Sequence, residues 1–216
     1  MSDAYILAID NGTQSVRALL FDLDGRIVAK SQVQLDAYYS THPGWAEHDV
    51  EGYWQALCTA CQRLWAENAI DKEAIKAVAL TTQRGTVVNL DSAGQPLRPA
   101  ILWLDQRRTR QVPPIGPLWR AAFKLARVDG TIDFFRGEAE ANWIKANPPG
   151  IWSRTAQFLL LSGYLNYRLS GRFVDSVGSQ LVYRPFDSHR LTCAGPGART
   201  TPPLALAAPL PPRLLT

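Results

Sequence analysis

The segment Asp10-Asn11-Gly12-Thr13-Gln14-Ser15 lies between two apolar runs, residues 5–9 and 16–21, and it limits what the chain can fold into more than any other stretch. Asn-Gly between apolar runs is a strong reversal signal, so the two runs read as paired antiparallel strands. Asp24-Gly25 makes a second turn, and residues 26–33 a third strand. The chain therefore opens as a three-strand meander. Its first turn can aim several backbone N–H groups at one point, and such a nest binds phosphate oxygens. Gly12 is expected to supply a positive φ and a close backbone approach. Thr13 and Ser15 offer hydroxyls, and Arg17 offers a fork if its strand directs it to the same place. Asp10, at the end of a buried strand, is a natural anchor for a magnesium ion and its waters. No Gly-Lys-Ser/Thr run occurs, so the turn is not a P-loop. Taken alone, Asn-Gly more readily does no more than close a hairpin, because such turns are abundant.

A loop centred on Pro43-Gly44 follows, then a helix with Asp49 as its N-cap and Glu51 in its first turn. Val50, Tyr53, Trp54, Leu57, Cys61, Leu64 and Trp65 recur at helical spacing over four turns. Residues 75–80 read as a short buried strand running into Thr81-Thr82-Gln83-Arg84, and 86–90 and 99–104 as two further strands. Pro113, Pro114 and Pro117 forbid a continuous helix through that region. Residues 119–128, 137–146, 151–161 and 164–169 read as helices, the last closed by Gly171, with a strand at 173–177. The pattern is that of a mixed α/β domain.

Composition removes several classes of function. No apolar run approaches the roughly 20 residues that span a bilayer, and the short run at 5–9 is flanked by Asp3 and Asp10, unlike an export signal. Cys58, Cys61 and Cys193 make no disulfide framework, and the C-x-x-C falls inside the helical pattern, where core packing is expected rather than metal or redox work. A reducing cytoplasm fits. The net charge of +4 hints at nucleic acid, but residues 1–187 carry 20 Lys+Arg against 19 Asp+Glu, so the excess belongs to the tail and no basic stripe remains. Residues 188–216 lack every acidic and aromatic residue and are rich in Pro, Ala, Leu, Arg and Thr. A disordered linker explains this. Translation out of frame in a GC-rich gene also explains it, and is favoured because misread GC-rich codons give that composition.

Residues 8–22, Ala-Ile-Asp-Asn-Gly-Thr-Gln-Ser-Val-Arg-Ala-Leu-Leu-Phe-Asp, resemble the opening of the FGGY carbohydrate kinases almost residue for residue. Pro43-Gly-Trp-Ala-Glu-His-Asp49 resembles that family's loop before its first long helix, and Thr82-Gln83-Arg84 its sugar-contacting strand end. Ala100-Ile-Leu-Trp-Leu-Asp-Gln-Arg-Arg108 is similar to its Trp-x-Asp-x-Arg segment, and the stretch from Ile151 to Ser176 resembles its later helix pair and strand. The resemblance spans about residues 4–187. It implies an actin-like ATPase (ribonuclease H-like) domain, with a mixed sheet, an antiparallel three-strand start and flanking helices. It also implies ATP and Mg2+ as cofactors, a sugar or polyol as the small-molecule partner, and neither nucleic acid nor membrane. A homodimer fits the intact family.

By position, the resemblance gives Asp10 the magnesium, and Gly12, Thr13, Gln14, Ser15 and Arg17 the transferring phosphate. Gln83, Arg84, Trp103 and Asp105 would bind the acceptor. Trp103 is as readily a core residue; for Arg84 a surface ion pair, and for Asp105 a turn-forming role, are the less favoured alternatives. Asp175, where the family has a strand-end aspartate, is expected to be structural. Gly85 stands where glycerol kinases have an acid, which favours a pentulose-like acceptor over glycerol. The family's general-base aspartate lies beyond the matched stretch, and no Asp or Glu follows Asp187. The expectation is thus an incomplete kinase N-terminal domain at 1–187, without the second domain that covers the nucleotide, and poorly active or inactive. A non-catalytic fragment binding sugar or a protein partner is the alternative.

Overall fold

The computed structural model describes residues 4–147 and 150–180, together with three short strand pieces further on. The meander is present as β1 (Tyr5–Asn11), β2 (Ser15–Asp22) and β3 (Ile27–Gln34). β1 and β2 pair antiparallel from Tyr5 opposite Asp22 to Asn11 opposite Val16. Leu7, Ile9, Val16, Ala18 and Leu20 alternate onto one buried face, as period-2 patterning requires. Asp10 and Arg17 consequently point to the other face. The two-residue β4 (Glu47–His48) leads into α1 (Val50–Glu67), whose N-cap Asp49 accepts hydrogen bonds from the backbone N–H groups of Glu51 and Gly52.

β5 (Ile75–Thr82) then returns parallel to β1, giving the sheet order β3-β2-β1-β5. Residues 75–80 were expected to be buried, yet Val78 is 55% exposed. Among the described residues β5 is an edge strand with nothing paired on its outer side. A second sheet, β4-β7-β6-β8, is built from β4, β6 (Val87–Leu90), β7 (Ala100–Ile101) and, after four helices, β8 (Gln157–Leu160). Its faces divide by alternation. Val88, Leu90, Ala100 and Leu159 join the first sheet's core with α1, while Val87, Ile101, Phe158 and Leu160 face a second cluster.

The helices α2 (Pro117–Leu125), α3 (Asp129–Glu138), α4 (Glu140–Ala146) and α5 (Ile151–Arg154) precede β8. α4 supplies Ala141, Trp143 and Ile144 to the second cluster. α6 (Leu161–Ser170), β9 (Val174–Ser176) and α7 (Val177–Gln180) follow. Gly171 caps α6 at φ 69°, as expected.

Three expectations need correction. Residues 151–161 are not one helix: the apolar run at 158–160 pairs antiparallel with β6, where its backbone groups find partners that a helix would have given it internally. The strand at 99–104 shrinks to two residues, because Leu102 to Asp105 closes a turn. Residues 129–136, unassigned from sequence, are helical as part of α3, and the helix expected at 137–146 breaks at Ala139. Most of residues 188–216 lies outside the described residues. Beyond α7, the described pieces are β10 (Phe186–Asp187) paired with β11 (Thr192–Cys193), and β12 (Arg213–Leu215) parallel to β9.

Candidate functional site

The turn between β1 and β2 is held at three points. Gly12 N–H donates to the Ser15 carbonyl at 3.0 Å, Leu35 N–H to the Gln14 carbonyl at 2.9 Å, and Gln83 N–H to the Asn11 carbonyl at 2.9 Å. Gly12 does not adopt the expected positive φ. Three residues separate the strands, so a two-residue turn with both φ values positive is not needed. A Cβ there would sit 3.4 Å from the Ser15 carbonyl oxygen, an ordinary van der Waals contact.

Across the sheet, Arg17 Nη1 donates to Asp10 Oδ2 at 2.9 Å, with both side chains more than a third exposed. The strand does direct Arg17 to the turn, on the face where Asp10 emerges. A single solvent-facing carboxylate matches the way magnesium is usually held, through one or two protein carboxylates plus phosphate oxygens and waters. Among the described residues no group of three or more His, Cys, Asp or Glu forms a denser metal site.

Thr13 joins the turn to the acceptor residues. Its hydroxyl donates to Gln83 Oε1 at 2.6 Å and accepts from the Trp103 indole Nε1–H at 3.2 Å. Gln83 Nε2 in turn donates to the Tyr53 hydroxyl at 3.0 Å. Burial pushes the Tyr53 hydroxyl up to about 12, the Gln83 bond acting in the opposite sense, so it remains a neutral phenol at ordinary pH. The chain Trp103, Thr13, Gln83, Tyr53 fixes the Gln83 amide orientation. Tyr53 was read from sequence only as a core residue of α1.

The expected acceptor residues divide between two cavities. Trp103, 57% exposed, lines an open cavity of about 740 Å³ with Thr13, Arg17, Asp36 and Tyr38. Gln83 and Arg84 line a smaller one of about 260 Å³ with Thr81, Ser162, Ser176 and Ser179. Beside it Asp175 is fully buried, accepting from Ser162 Oγ at 3.0 Å and from Ser176 N–H at 2.8 Å, in keeping with a structural role. Gly85 has φ 78°, a left-handed conformation that an acidic residue would occupy only under strain.

Asp105, expected to bind acceptor hydroxyls, has its carboxylate committed elsewhere. Its Oδ1 accepts from Arg107 N–H at 2.8 Å and Arg107 Nε at 2.7 Å, its Oδ2 from Ala46 N–H at 2.6 Å and Arg107 Nη2 at 2.7 Å. The side chain is 3% exposed. Four donors in place leave no free acceptor position for a sugar. Arg107 was missed as a site residue although it closes the Trp-x-Asp-x-Arg segment, and so was its second partner Glu47. Cys58 and Cys61 are free, with thiols pushed up by burial, Cys61 to about 11, as suits packing rather than nucleophilic work.

The sheet order, the helix crossing between β3 and β5, and the polar turn after the first strand give the domain an actin-like fold. Residues 5–180 match the FGGY family of carbohydrate kinases, N-terminal domain, and the chain belongs to that family. It is 34% identical over 175 residues to a glycerol kinase of Dechloromonas aromatica (strain RCB), covering 79% of this chain and 35% of the relative. A gluconate kinase from Lactobacillus acidophilus superposes with a TM-score of 0.72 at 20% identity, covering all of this chain and 42% of that one. A xylulose kinase from Rhodospirillum rubrum does so with a TM-score of 0.69 at 23% identity, over 94% and 42% of the two chains. The chain spans about a third of the length of the curated relatives it matches. Among the described residues no helix is long and apolar enough to cross a membrane.

Proposed function

We propose that this chain carries the phosphate-receiving and acceptor half of an ATP-dependent sugar kinase, which transfers the γ-phosphoryl group to a hydroxyl of a sugar or polyol in the cytoplasm. The observation that carries this is the hydrogen-bonded contact of Thr13 with both Gln83 and Trp103. A group on the turn would thereby lie next to a hydroxyl held by the strand end and the indole. Phosphoryl transfer needs mainly such positioning and charge neutralisation. Gly12, Thr13, Gln14 and Ser15 would receive phosphate oxygens, Arg17 would add its guanidinium, and Asp10 would hold magnesium, directly or through water. When bound, the ion would neutralise charge on the transferring group.

Gln83 and Arg84 would pair with acceptor hydroxyls, and Trp103 would offer a face to the carbon skeleton. Asp105 would act on this side through Ala46 and Arg107. Glycine at 85 in a left-handed conformation supports a pentulose-like acceptor over glycerol. In the family the aspartate base lies beyond the stretch matched here, and no acidic residue follows Asp187. The matched stretch, residues 5–180, is therefore proposed to bind acceptor, with proton abstraction falling to a residue outside it.

Saturation-transfer NMR with D-xylulose, D-ribulose and glycerol, run beside a coupled ADP-release assay, tests this. Saturation of a pentulose, lost in Arg84→Ala, with ADP release at background is the expected result. No saturation from either pentulose would refute the acceptor assignment. Turnover well above background would refute the half-site reading.

A further inference from the structure

Trp103 is an exposed indole whose packing does not hold it, so its orientation over Thr13 must come from the backbone that carries it. That backbone is the turn from Leu102 to Asp105, closed by Asp105 N–H donating to the Leu102 carbonyl at 3.0 Å. Two more bonds fasten it to the preceding loop: Leu102 N–H to the Ala46 carbonyl at 3.0 Å and Gln106 N–H to the Gly44 carbonyl at 2.8 Å. The Asp105 carboxylate completes the attachment by accepting from Ala46 N–H. Its plane is set in turn by Arg107, which grips both oxygens.

The Arg107 side chain is 1% exposed, and three partners fix it besides Asp105. Its Nη1 donates to Glu47 Oε1 at 2.9 Å. Its guanidinium carbon lies 4.0 Å from the ring centre of Trp45 and 4.6 Å from that of Trp143 on α4. Glu47 is itself shared with buried Arg98, whose guanidinium burial holds below the ordinary arginine range while Glu47 acts the other way. A buried ion cluster contributes little net stability compared with an apolar core of the same volume. What it does supply is one allowed geometry, because a planar fork on a carboxylate and flat contacts with two indoles leave few alternative arrangements.

We propose that Arg107 is a positioning residue: by locking Asp105, it sets the turn that delivers the Trp103 indole N–H to Thr13. The cluster thereby ties α4, through Trp143, to the β1/β2 turn. The chain of contacts runs from Trp143 to Arg107, Asp105, Trp103 and Thr13. Lysine could not replace arginine here, since an ammonium can neither grip both carboxylate oxygens nor lie flat on two rings.

The test reads the indole rather than sugar binding, so it stands whether or not the site takes a sugar. The full chain is labelled with 15N-tryptophan, the Trp103 indole resonance is assigned with Trp103→Phe, and its position without the Thr13 bond is defined with Thr13→Val. Arg107→Met and Arg107→Lys are then compared. The lysine variant keeps the buried carboxylates compensated and supplies the answer if the methionine variant does not fold. The expected result in each folded variant is that the Trp103 indole resonance moves to the Thr13→Val position. The Trp65 indole, on the far part of α1 beside Lys72, should stay where it is. A Trp103 indole that keeps its native position in the folded lysine variant would overturn the proposal. Movement of the Trp65 indole by a similar amount would overturn it as well, because the effect would then be general loosening.

Discussion

Thr13 and Gln83 are 70 positions apart in the chain, and their side chains share a 2.6 Å hydrogen bond that joins the β1/β2 turn to the end of β5. Other bonds hold each end as well: the turn accepts backbone bonds from Leu35 and Gln83, and the Gln83 amide donates to the Tyr53 hydroxyl.

Thr13→Val removes a donor from Gln83 and an acceptor from the Trp103 indole while keeping the side chain's volume. The loss is expected to be about 1–2 kcal/mol, typical for a part-buried hydroxyl with two partners. Urea unfolding should show a lower midpoint with unchanged slope. Thr13→Ser should recover most of the loss.

Asp105→Asn separates a positioning role from a sugar-binding one. The substitution leaves Arg107 buried with half its compensation gone, and breaking a buried pair costs about 3–5 kcal/mol. A thermal melt should therefore fall steeply without any sugar present. An Asp105 that only contacted an acceptor would leave the melt of the free protein nearly unchanged.

Glu140, at the start of α4, has its carboxyl pushed up to about 7, first by burial and then by the neighbouring charges of Asp105 and Glu138. Its own backbone N–H and Arg107 oppose the shift. Between its ordinary 4.5 and about 7 the folded protein holds a proton that the unfolded chain has released. Stability should then fall as pH rises through that window. Glu140→Gln should match the parent near pH 4.5 and exceed it by about 1–3 kcal/mol at pH 8. Unfolding midpoints at the two pH values check this.

Local chemistry was legible where one residue decides one feature. Asn-Gly and Asp-Gly marked the meander, Asp49 marked the start of α1, and Gly171 marked the end of α6. Helix and strand were confused at residues 157–160, because an apolar run buried on both sides has no period to read. Pro117 was taken as a helix breaker, yet it sits in the first turn of α2, where a missing N–H costs nothing. At the site, the acid and hydroxyls of the turn could be named from sequence, but the positive φ expected of Gly12 is not adopted. The use of Asp105 could not be read, since a carboxylate two residues before an arginine reads the same whether it faces a ligand or folds back on that arginine. The contact of Thr13 with Gln83 depends on a parallel β1/β5 register that nothing near either residue encodes.

The kinase activity proposed for this chain requires residues 10–17 to be a phosphate site. The most direct measurement is a titration of the 15N-labelled chain with inorganic phosphate and magnesium, followed by amide chemical shifts. Saturable shifts centred on Gly12, Thr13, Gln14, Ser15 and Arg17, abolished by Asp10→Asn when magnesium is required, are the predicted result. Shifts that cluster elsewhere, or no saturable shift at these five residues, would contradict it.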